Sequence, residues 1–304
     1  MAVAIPRART VSARTFLRIA AASTVALFLV ITSGAFVRLT GSGLGCENWP
    51  SCGDRPYPEQ GFHAFVEFGN RMVALAGIVL TLLTLLASRR TEALSAWGRW
   101  AALGAFLVAV AKIPMGGITI ALDLHPLAVM THFLLGLAAF GLALIAALEA
   151  WSLRDGRAPA ADPRWFRLFV TCVGLPACVV LIVTGAVVTA SGPHPGSSAD
   201  VHRLSYWSDS IYVHVRVAAA FGIGVLVVGW LLWRIRERYP GLIRIWAGLL
   251  AVVVAQAIVG EVQYRNGLPW GIVLVHVALA ASIWAFSLGL AYALWRPPVP
   301  LTRK

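Results

Sequence analysis

The polar side chains best suited to chemistry cluster in the first quarter of the chain. Cys46 and Cys52 lie in a loop rich in Gly, Pro and Trp, and Glu67 follows at the start of an apolar run, with Asn70 and Arg71 just beyond it. The last three fall within about one helical turn. A carboxylate can move protons and a guanidinium can hold an anion. Ionisable groups at the mouth of a membrane helix predict a functional site.

The composition indicates that membrane helices must position these groups. The 304 residues are 59% hydrophobic and 12% charged, with a mean hydropathy of +0.78, whereas soluble domains carry roughly 25% charged residues. We predict an all-α integral membrane protein, because eight apolar runs could cross a hydrocarbon layer of about 30 Å. The first run is too long for a signal peptide and is read as a retained helix. The runs lie near residues 16–37, 64–87, 97–116, 128–150, 166–189, 210–233, 242–260 and 271–294.

Basic residues occupy every second segment between these runs, which predicts the orientation of the chain. The positive-inside rule places both termini in the cytoplasm, with the protein in the cell (plasma) membrane. The net charge of +12 then reflects topology, not nucleic-acid binding. Four polar loops face outward, at 38–63, 117–127, 190–209 and 261–270. The basic residues of the segments predicted to face the cytoplasm are Arg7, Arg9, Arg14, Arg18, Arg89, Arg90, Arg99, Arg154, Arg157, Arg164, Arg167, Arg234, Arg236, Arg238, Arg244, Arg296, Arg303 and Lys304.

A weak internal repeat divides the chain into two halves. SGAFVRLTGSG at 33–43 matches TGAVVTASGPH at 184–194. We expect two pseudo-symmetric four-helix bundles, 1–154 and 163–304, joined by a cytoplasmic linker at 155–162. Four helices return the chain to the same side of the membrane, so the two repeats would run parallel.

The repeat also aligns the chemistry of the two halves. His214 and His276 occupy equivalent places in the second half, and two facing imidazoles make a bis-His haem site between helices. In the first half, His132 matches His276, but Asn70 stands where His214 would be. An amide is a poor ligand for iron. We therefore expect one haem site closed on both faces and a second open on one face, with Glu67 nearby.

These residues resemble the haem A synthase family over the whole chain. The resemblance is carried by VRLTGSGLGCENWPSC followed by HAFVEFGNR, and by the paired stretches THFLLG and LVHVALAASIW. It implies that the protein is an oxidoreductase of cytochrome oxidase assembly. The implied reaction oxidises the C8 methyl group of haem O to a formyl group. Two successive hydroxylations would give a geminal diol, which loses water to form haem A.

The resemblance also assigns roles to residues. It implies that His214 and His276 are the axial ligands of a haem b cofactor. Arg216, beside His214, is our own candidate partner for a propionate of that haem. Glu67 corresponds to a glutamate important for activity in the family. We expect it to transfer protons or to orient water near the reacting methyl group.

Substrate haem O is expected in the first half, with its iron on His132 and with Asn70 and Arg71 beside it. Arg71 is a candidate partner for a propionate. Many family members carry histidine where this chain has Asn70, which leaves two alternatives open. His132 is the single iron ligand of the substrate, or His63 replaces the missing histidine.

The remaining cysteines and charged groups receive ordinary interpretations. Cys46 and Cys52 lie on the exported side, where disulfides persist, so we predict a bond between them, either structural or redox-active. Cys172 and Cys178 are expected to be small buried apolar residues. Lys112 is expected to snorkel to the outer surface, with a contact to a propionate as the alternative.

Two other functions compete with the enzyme. A b-type cytochrome would only transfer electrons, and a transporter would show broken helices or charges at the bilayer midplane. Expected partners are haem O, the lipid membrane, the farnesyltransferase that makes haem O, and an electron acceptor such as a quinone. The sequence is compatible with a homo-oligomer and gives no reason to expect nucleic acid.

Overall fold

The computed structural model describes residues 10–46, 48–55, 57–197 and 201–302, and its regular structure is helical. Eight helices are long and apolar enough to cross a membrane, and no strand occurs in these ranges. The all-α, eight-helix prediction is confirmed. Arg7, Arg9, Arg303 and Lys304, used above for orientation, lie outside the described residues. The helices are α1 Ala13–Leu39, α2 Phe62–Arg90, α3 Ala96–Ala121, α4 Pro126–Asp155, α5 Arg164–Ser191, α6 Trp207–Arg234, α7 Pro240–Arg265 and α8 Trp270–Trp295.

Most helices extend a few residues beyond the apolar runs that predicted them. Polar residues at the ends supply capping and pairing groups, which hydropathy does not register. Ser95, for example, accepts a hydrogen bond from the backbone N–H of Gly98 at 3.1 Å and caps α3. Glu261, predicted in an outer loop, lies in the last turn of α7 and pairs with Arg265 at 2.5 Å. Consequently, the outer connections after α3 and α7 are only a few residues long.

Each half packs in the same pattern of helix neighbours. Consecutive helices contact each other, and the first helix of each half contacts the fourth. The halves meet along α1, α4, α5 and α8, where Trp284 Nε1 donates to the Leu137 carbonyl at 3.1 Å. On α4, Ala139 and Ala143 are fully buried, and such small residues let neighbouring helices approach closely. A symmetry axis relating the halves, and the cytoplasmic position of the termini, stay predictions.

The segment between the halves is bound tightly to the C-terminal tail. Ala158 N–H donates to the Pro297 carbonyl and Ala161 N–H to the Leu294 carbonyl, both at 2.9 Å. The Tyr239 hydroxyl donates to the Ala160 carbonyl at 3.2 Å. The predicted linker is thus a packed connection between the two halves.

A buried carboxylate fixes this connection at the predicted inner end of the bundle. Glu149 on α4 is 1% exposed and accepts hydrogen bonds from Arg157 at 2.9 Å, from Tyr292 at 2.9 Å, and from Ser95 and Arg296. These donors come from α3, the linker, α8 and the tail. Sequence reasoning had treated the basic residues here only as orientation signals. The structure adds that two of them neutralise one buried charge.

Replacing Glu149 with alanine should lower the free energy of unfolding by about 3–5 kcal/mol, because it leaves two partly buried arginines without the buried carboxylate that pairs with them. Thermal unfolding of the detergent-purified protein measures the effect. Glu237→Ala is the matched control, since Glu237 is exposed and its removal should leave the midpoint unchanged. Equal midpoints for the two variants would contradict this role for Glu149.

Candidate functional site

The loop between α1 and α2 is folded back onto the first turns of α2. Cys46 and Cys52 form a disulfide, as predicted. The backbone N–H of Cys46 donates to Glu67 Oε2 at 2.8 Å, and Glu67 is only 5% exposed. Gly45 lies against the backbone of His63, where a β-carbon would come within 2.5 Å of the carbonyl carbon. Only glycine fits at that contact, so the loop is held against α2 next to Glu67.

Arg71 joins the carboxylate to the loop. Its guanidinium forms an ion pair with Glu67, one turn earlier on α2, and the arginine side chain is 16% exposed. It also donates to the carbonyls of Pro50 and Ser51, each at 2.8 Å. The Glu67 carboxylate thus accepts hydrogen bonds from the Cys46 N–H and from Arg71, and its buried charge is paired. Arg71 therefore holds Glu67 and the disulfide loop in a fixed relation.

The disulfide loop also reaches across to α3. The ring of Trp49 packs on Gly117, where a β-carbon would lie 3.3 Å from Trp49 Cε3. The preceding residue, Gly116, faces His132 on α4, with a β-carbon position 3.7 Å from the imidazole Cε1. The loop therefore covers the outer end of the first bundle beside His132.

In the second half, each candidate haem ligand packs against a glycine of the preceding helix. A β-carbon on Gly185 of α5 would lie 3.1 Å from Cε1 of His214, and one on Gly260 of α7 would lie 3.2 Å from Cε1 of His276. The Thr184 hydroxyl and His214 Nδ1 are 3.0 Å apart. Both rings are thus positioned by backbone contact inside one bundle.

The first half repeats this arrangement with Asn70 in place of one histidine. Gly34 of α1 faces Asn70, with a β-carbon position 3.8 Å from Oδ1. Ser33 Oγ donates to Asn70 Oδ1 at 2.8 Å. Gly116 faces His132, as described above. A hydroxyl and a glycine on the first helix of each half therefore contact the equivalent residue of the second helix.

Lys112 on α3 turns into the first bundle. A β-carbon on Gly136 of α4 would lie 3.0 Å from Lys112 Nζ. Gly136 is one turn deeper in the bundle than His132. The expectation that Lys112 snorkels to the outer surface is therefore wrong. Close packing on glycine lets the ammonium group lie beside α4, and no hydrogen bond or ion pair to it occurs among the described residues.

The donor set in the second half fits a haem. His214 and His276 offer imidazole nitrogens, the ligands that haem iron accepts. With Nδ1 of His214 facing the Thr184 hydroxyl, Nε2 remains for a metal, and such a partner fixes the tautomer of a ligating histidine. Nδ1 of His276 and Nδ1 of His132 are buried without a hydrogen-bond partner in the described residues.

Arg216 lies two residues after His214 on α6. Its guanidinium stacks on the Tyr212 ring, 3.1 Å from the ring centroid, and donates to the Tyr212 carbonyl at 3.1 Å. Tyr212 and Arg216 are both exposed to the surroundings of the helix. The arginine thus lies in the N-terminal third of α6, and its contacts among the described residues are to Tyr212.

His63, predicted in an outer loop, lies in the first turn of α2. His63 is exposed, and its Nδ1 is 2.8 Å from Ser42 Oγ. With Arg38 and His194 it lines a cavity of about 360 Å³ between the outer loops of the two halves. Within the residues that the structure describes, no group of three or more His, Cys, Asp or Glu side chains could hold a metal ion.

Sequence reasoning missed the hydroxyls and glycines that position the rings. The signal was present, because the repeat aligns Ser33 with Thr184 and Gly34 with Gly185. Glycine and hydroxyl residues are common in membrane helices, however, and their role appears only when the facing side chain is known.

Replacing Gly185 with alanine should displace the His214 imidazole, because the added methyl would lie 3.1 Å from Cε1, closer than ordinary packing. We expect reduced pigment bound in the second half and a changed absorption spectrum of what remains. Gly222→Ala on α6 is the control, since nothing lies within 4 Å of a β-carbon there. A G185A spectrum identical to that of G222A would contradict the positioning role.

Comparison with known proteins gives consistent matches over most of the chain. A family model described as "COX15-CtaA: Cytochrome oxidase assembly protein" matches residues 17–288. A protein named Heme A synthase from Bacillus pumilus (strain SAFR-032) is 23% identical over 271 residues, covering 84% of this chain and 87% of the relative. Heme A synthases from Bacillus cereus (strain 03BB102) and Bacillus anthracis (strain A0248) are each 24% identical over 284 residues, covering 85% and 86%.

Proposed function

This chain belongs to the COX15-CtaA family of cytochrome oxidase assembly proteins, and we propose that it oxidises the C8 methyl group of haem O to the formyl group of haem A. The chain is a membrane oxidoreductase of haem A biosynthesis, as its relatives named Heme A synthase indicate. Those relatives do not favour the alternative of a b-type cytochrome that only transfers electrons. Two hydroxylations and loss of water would complete the reaction.

One observation carries the proposal, namely the difference between two otherwise matching sites. Each half holds a ring on its fourth helix against a glycine of its third. Each half also holds a residue of its second helix against a glycine and a hydroxyl of its first. That second residue is His214 in one half and Asn70 in the other. A pure electron carrier has no need of a half-site with an amide, whereas a substrate needs a site it can enter and leave.

In the second half, we assign His214 and His276 as the axial ligands of haem b. Bound there, haem b supplies a one-electron carrier that takes electrons away from the substrate. Thr184 keeps His214 in one tautomer, and the glycines at 185 and 260 leave room for the rings to stand between helices. Arg216 lies two residues after His214 on α6, and we assign it to a haem propionate.

In the first half, we assign His132 as the single iron ligand of haem O, with Asn70 on the opposite side. The exposed position of His63 and its contact with Ser42 favour this assignment over the alternative with His63. The disulfide loop, closed over α3 by Trp49, would exclude water from the substrate once it is bound.

Glu67 is assigned as the proton-transfer group. It is buried under the disulfide loop and paired with Arg71, which balances its charge when it is ionised. A hydroxylation that takes its oxygen from water releases two protons and two electrons, and a carboxylate beside the predicted outer loops can pass the protons outward. The contacts of Arg71 to Glu67 and to the loop carbonyls favour a role in holding this group, with a propionate as an additional partner.

The proposed site opens on the extracytoplasmic side of the plasma membrane. α4 and α8 pack against each other, which places the helices of His132 and His276 side by side and suits electron transfer between the halves. An acceptor such as a quinone would then reoxidise haem b. Haem O is apolar and would be delivered through the membrane, by contact with the farnesyltransferase that makes it.

Pigment analysis tests the function. The protein is expressed in a host that makes haem O but no haem A, and the extracted haems are separated. We expect haem A to appear, and to disappear with His132→Ala while haem b stays bound. Conversion of haem O without loss in H132A would overturn the site, and haem b with no conversion by the unaltered protein would overturn the function.

A further inference from the structure

Asn70 is held by the same kind of contact that holds a candidate haem ligand in the other half. Ser33 Oγ donates to its Oδ1 at 2.8 Å, and Gly34 lies beside it. In the second half, Thr184 Oγ1 is 3.0 Å from His214 Nδ1, beside Gly185. The Ser33 hydroxyl also lies 3.3 Å from the Val30 carbonyl, a longer contact than the one with Asn70.

This contact determines which end of the amide stays free. A hydroxyl at Nδ1 of His214 leaves Nε2 as the atom turned toward a metal. A hydroxyl at Oδ1 of Asn70 leaves the Nδ2 amino group, and no hydrogen bond to Nδ2 occurs within the described part of the chain. An amide nitrogen has two N–H donors and no lone pair available for iron. The chain therefore presents hydrogen-bond donors where its other half presents a ligand.

We propose that Asn70 is a hydrogen-bond donor to a small ligand on the open iron face of the substrate haem, oriented for this by Ser33. The ligand class is a small molecule or anion that binds iron and accepts a hydrogen bond. The inference rests on the proposed function, because it requires haem O on His132. It adds that Asn70, which stands where the other half has a histidine, takes part in ligand binding through its amide N–H groups.

Ligand binding to the haem O-loaded ferric protein tests this, with fluoride as the probe because fluoride accepts hydrogen bonds. Haem b, ligated on both faces, should not bind it. We expect the substrate haem to be high-spin and to bind fluoride in the unaltered protein. Asn70→Leu, of similar size, should stay high-spin and lose about 10- to 100-fold in fluoride affinity, the range for a hydrogen bond to a charged group. Asn70→His should become low-spin and bind no fluoride.

A second variant tests the orienting contact. Ser33→Ala keeps the amide but removes its partner, so fluoride affinity should fall several-fold with the spin state unchanged. Thr32→Ala is the matched control, because the Thr32 hydroxyl bonds only to the carbonyls of Phe28 and Leu29 in its own helix. Its affinity should equal that of the unaltered protein. Haem b content checks that every variant is folded.

The outcomes distinguish failure of this inference from failure of the proposed function. Fluoride affinity unchanged in N70L would overturn the donor role while leaving haem O on His132 intact, and Asn70 would then only pack between helices. A low-spin substrate haem in the unaltered protein would also overturn it, since a second protein ligand would fill the face. Loss of haem O in N70L alone would assign Asn70 to holding the haem and overturn the donor role, whereas failure of the unaltered protein to bind haem O would overturn the proposed function.

Discussion

Replacing His276 with alanine will remove the low-spin haem b signal from the purified protein, and haem A formation will stop with it. The substitution leaves His214 as the one remaining imidazole ligand, whereas a bis-His haem needs two. It also opens a cavity between α7 and α8. His214→Ala should give the same result. Absorption and electron paramagnetic resonance spectra of the detergent-purified protein measure the haem, and extracted pigments measure the product.

The control for these variants is a histidine outside the bundle. His202→Ala changes an exposed ring that stacks on His125 in the outer loops, and both haem b content and turnover should be kept. If H214A and H276A retained a six-coordinate haem, the axial assignment would fail. If either lost haem b but still converted haem O at the full rate, the electron-transfer role would fail instead.

Replacing Glu67 with glutamine will lower turnover by about 100-fold or more while leaving haem b in place. General acid–base catalysis contributes at least this much, and an amide cannot exchange the proton. Glutamine keeps an oxygen for the Cys46 N–H, so the fold of the loop should survive. It places an N–H group against the Arg71 guanidinium, however, so the pairing charge is lost. Haem A formation per bound haem b is the measurement.

The matched control is Glu261→Gln on the same predicted outer side. Glu261 pairs with Arg265 in a similar i to i+4 arrangement, but its side chain is 58% exposed. Exposed pairs contribute little, so turnover should be unchanged. Full haem A production by E67Q would end the proton-transfer proposal. Loss of haem b together with activity in E67Q would assign Glu67 to structure instead.

The two predictions probe separate halves of the chain and together test how they cooperate. Haem b loss should stop turnover from the second half, and loss of the carboxylate should stop it from the first with haem b present. α4 and α8 connect the halves by direct packing. Since H276A alone should form no haem A, a double variant of His276 and Glu67 should show the same result.

The sequence by itself determined the number and class of the helices and the residues to examine. A span must satisfy its own backbone hydrogen bonds in lipid, so length and hydropathy alone identify it. The interval between Asn70 and His214 equals that between His132 and His276, and this identified four candidate positions without coordinates. The disulfide was predicted from two cysteines in one loop that the charge pattern places on the exported side.

Only the tertiary structure decided how side chains on different helices meet. Lys112 lies beside α4 because Gly136 leaves space there, and Glu149 gathers donors from four segments far apart in the chain. Hydropathy and spacing fix each helix along its own axis but not its rotation against a neighbour. Rotation depends on packing between small residues, and so the contacts of Ser33 and Thr184 could be recognised only once the facing helix was known.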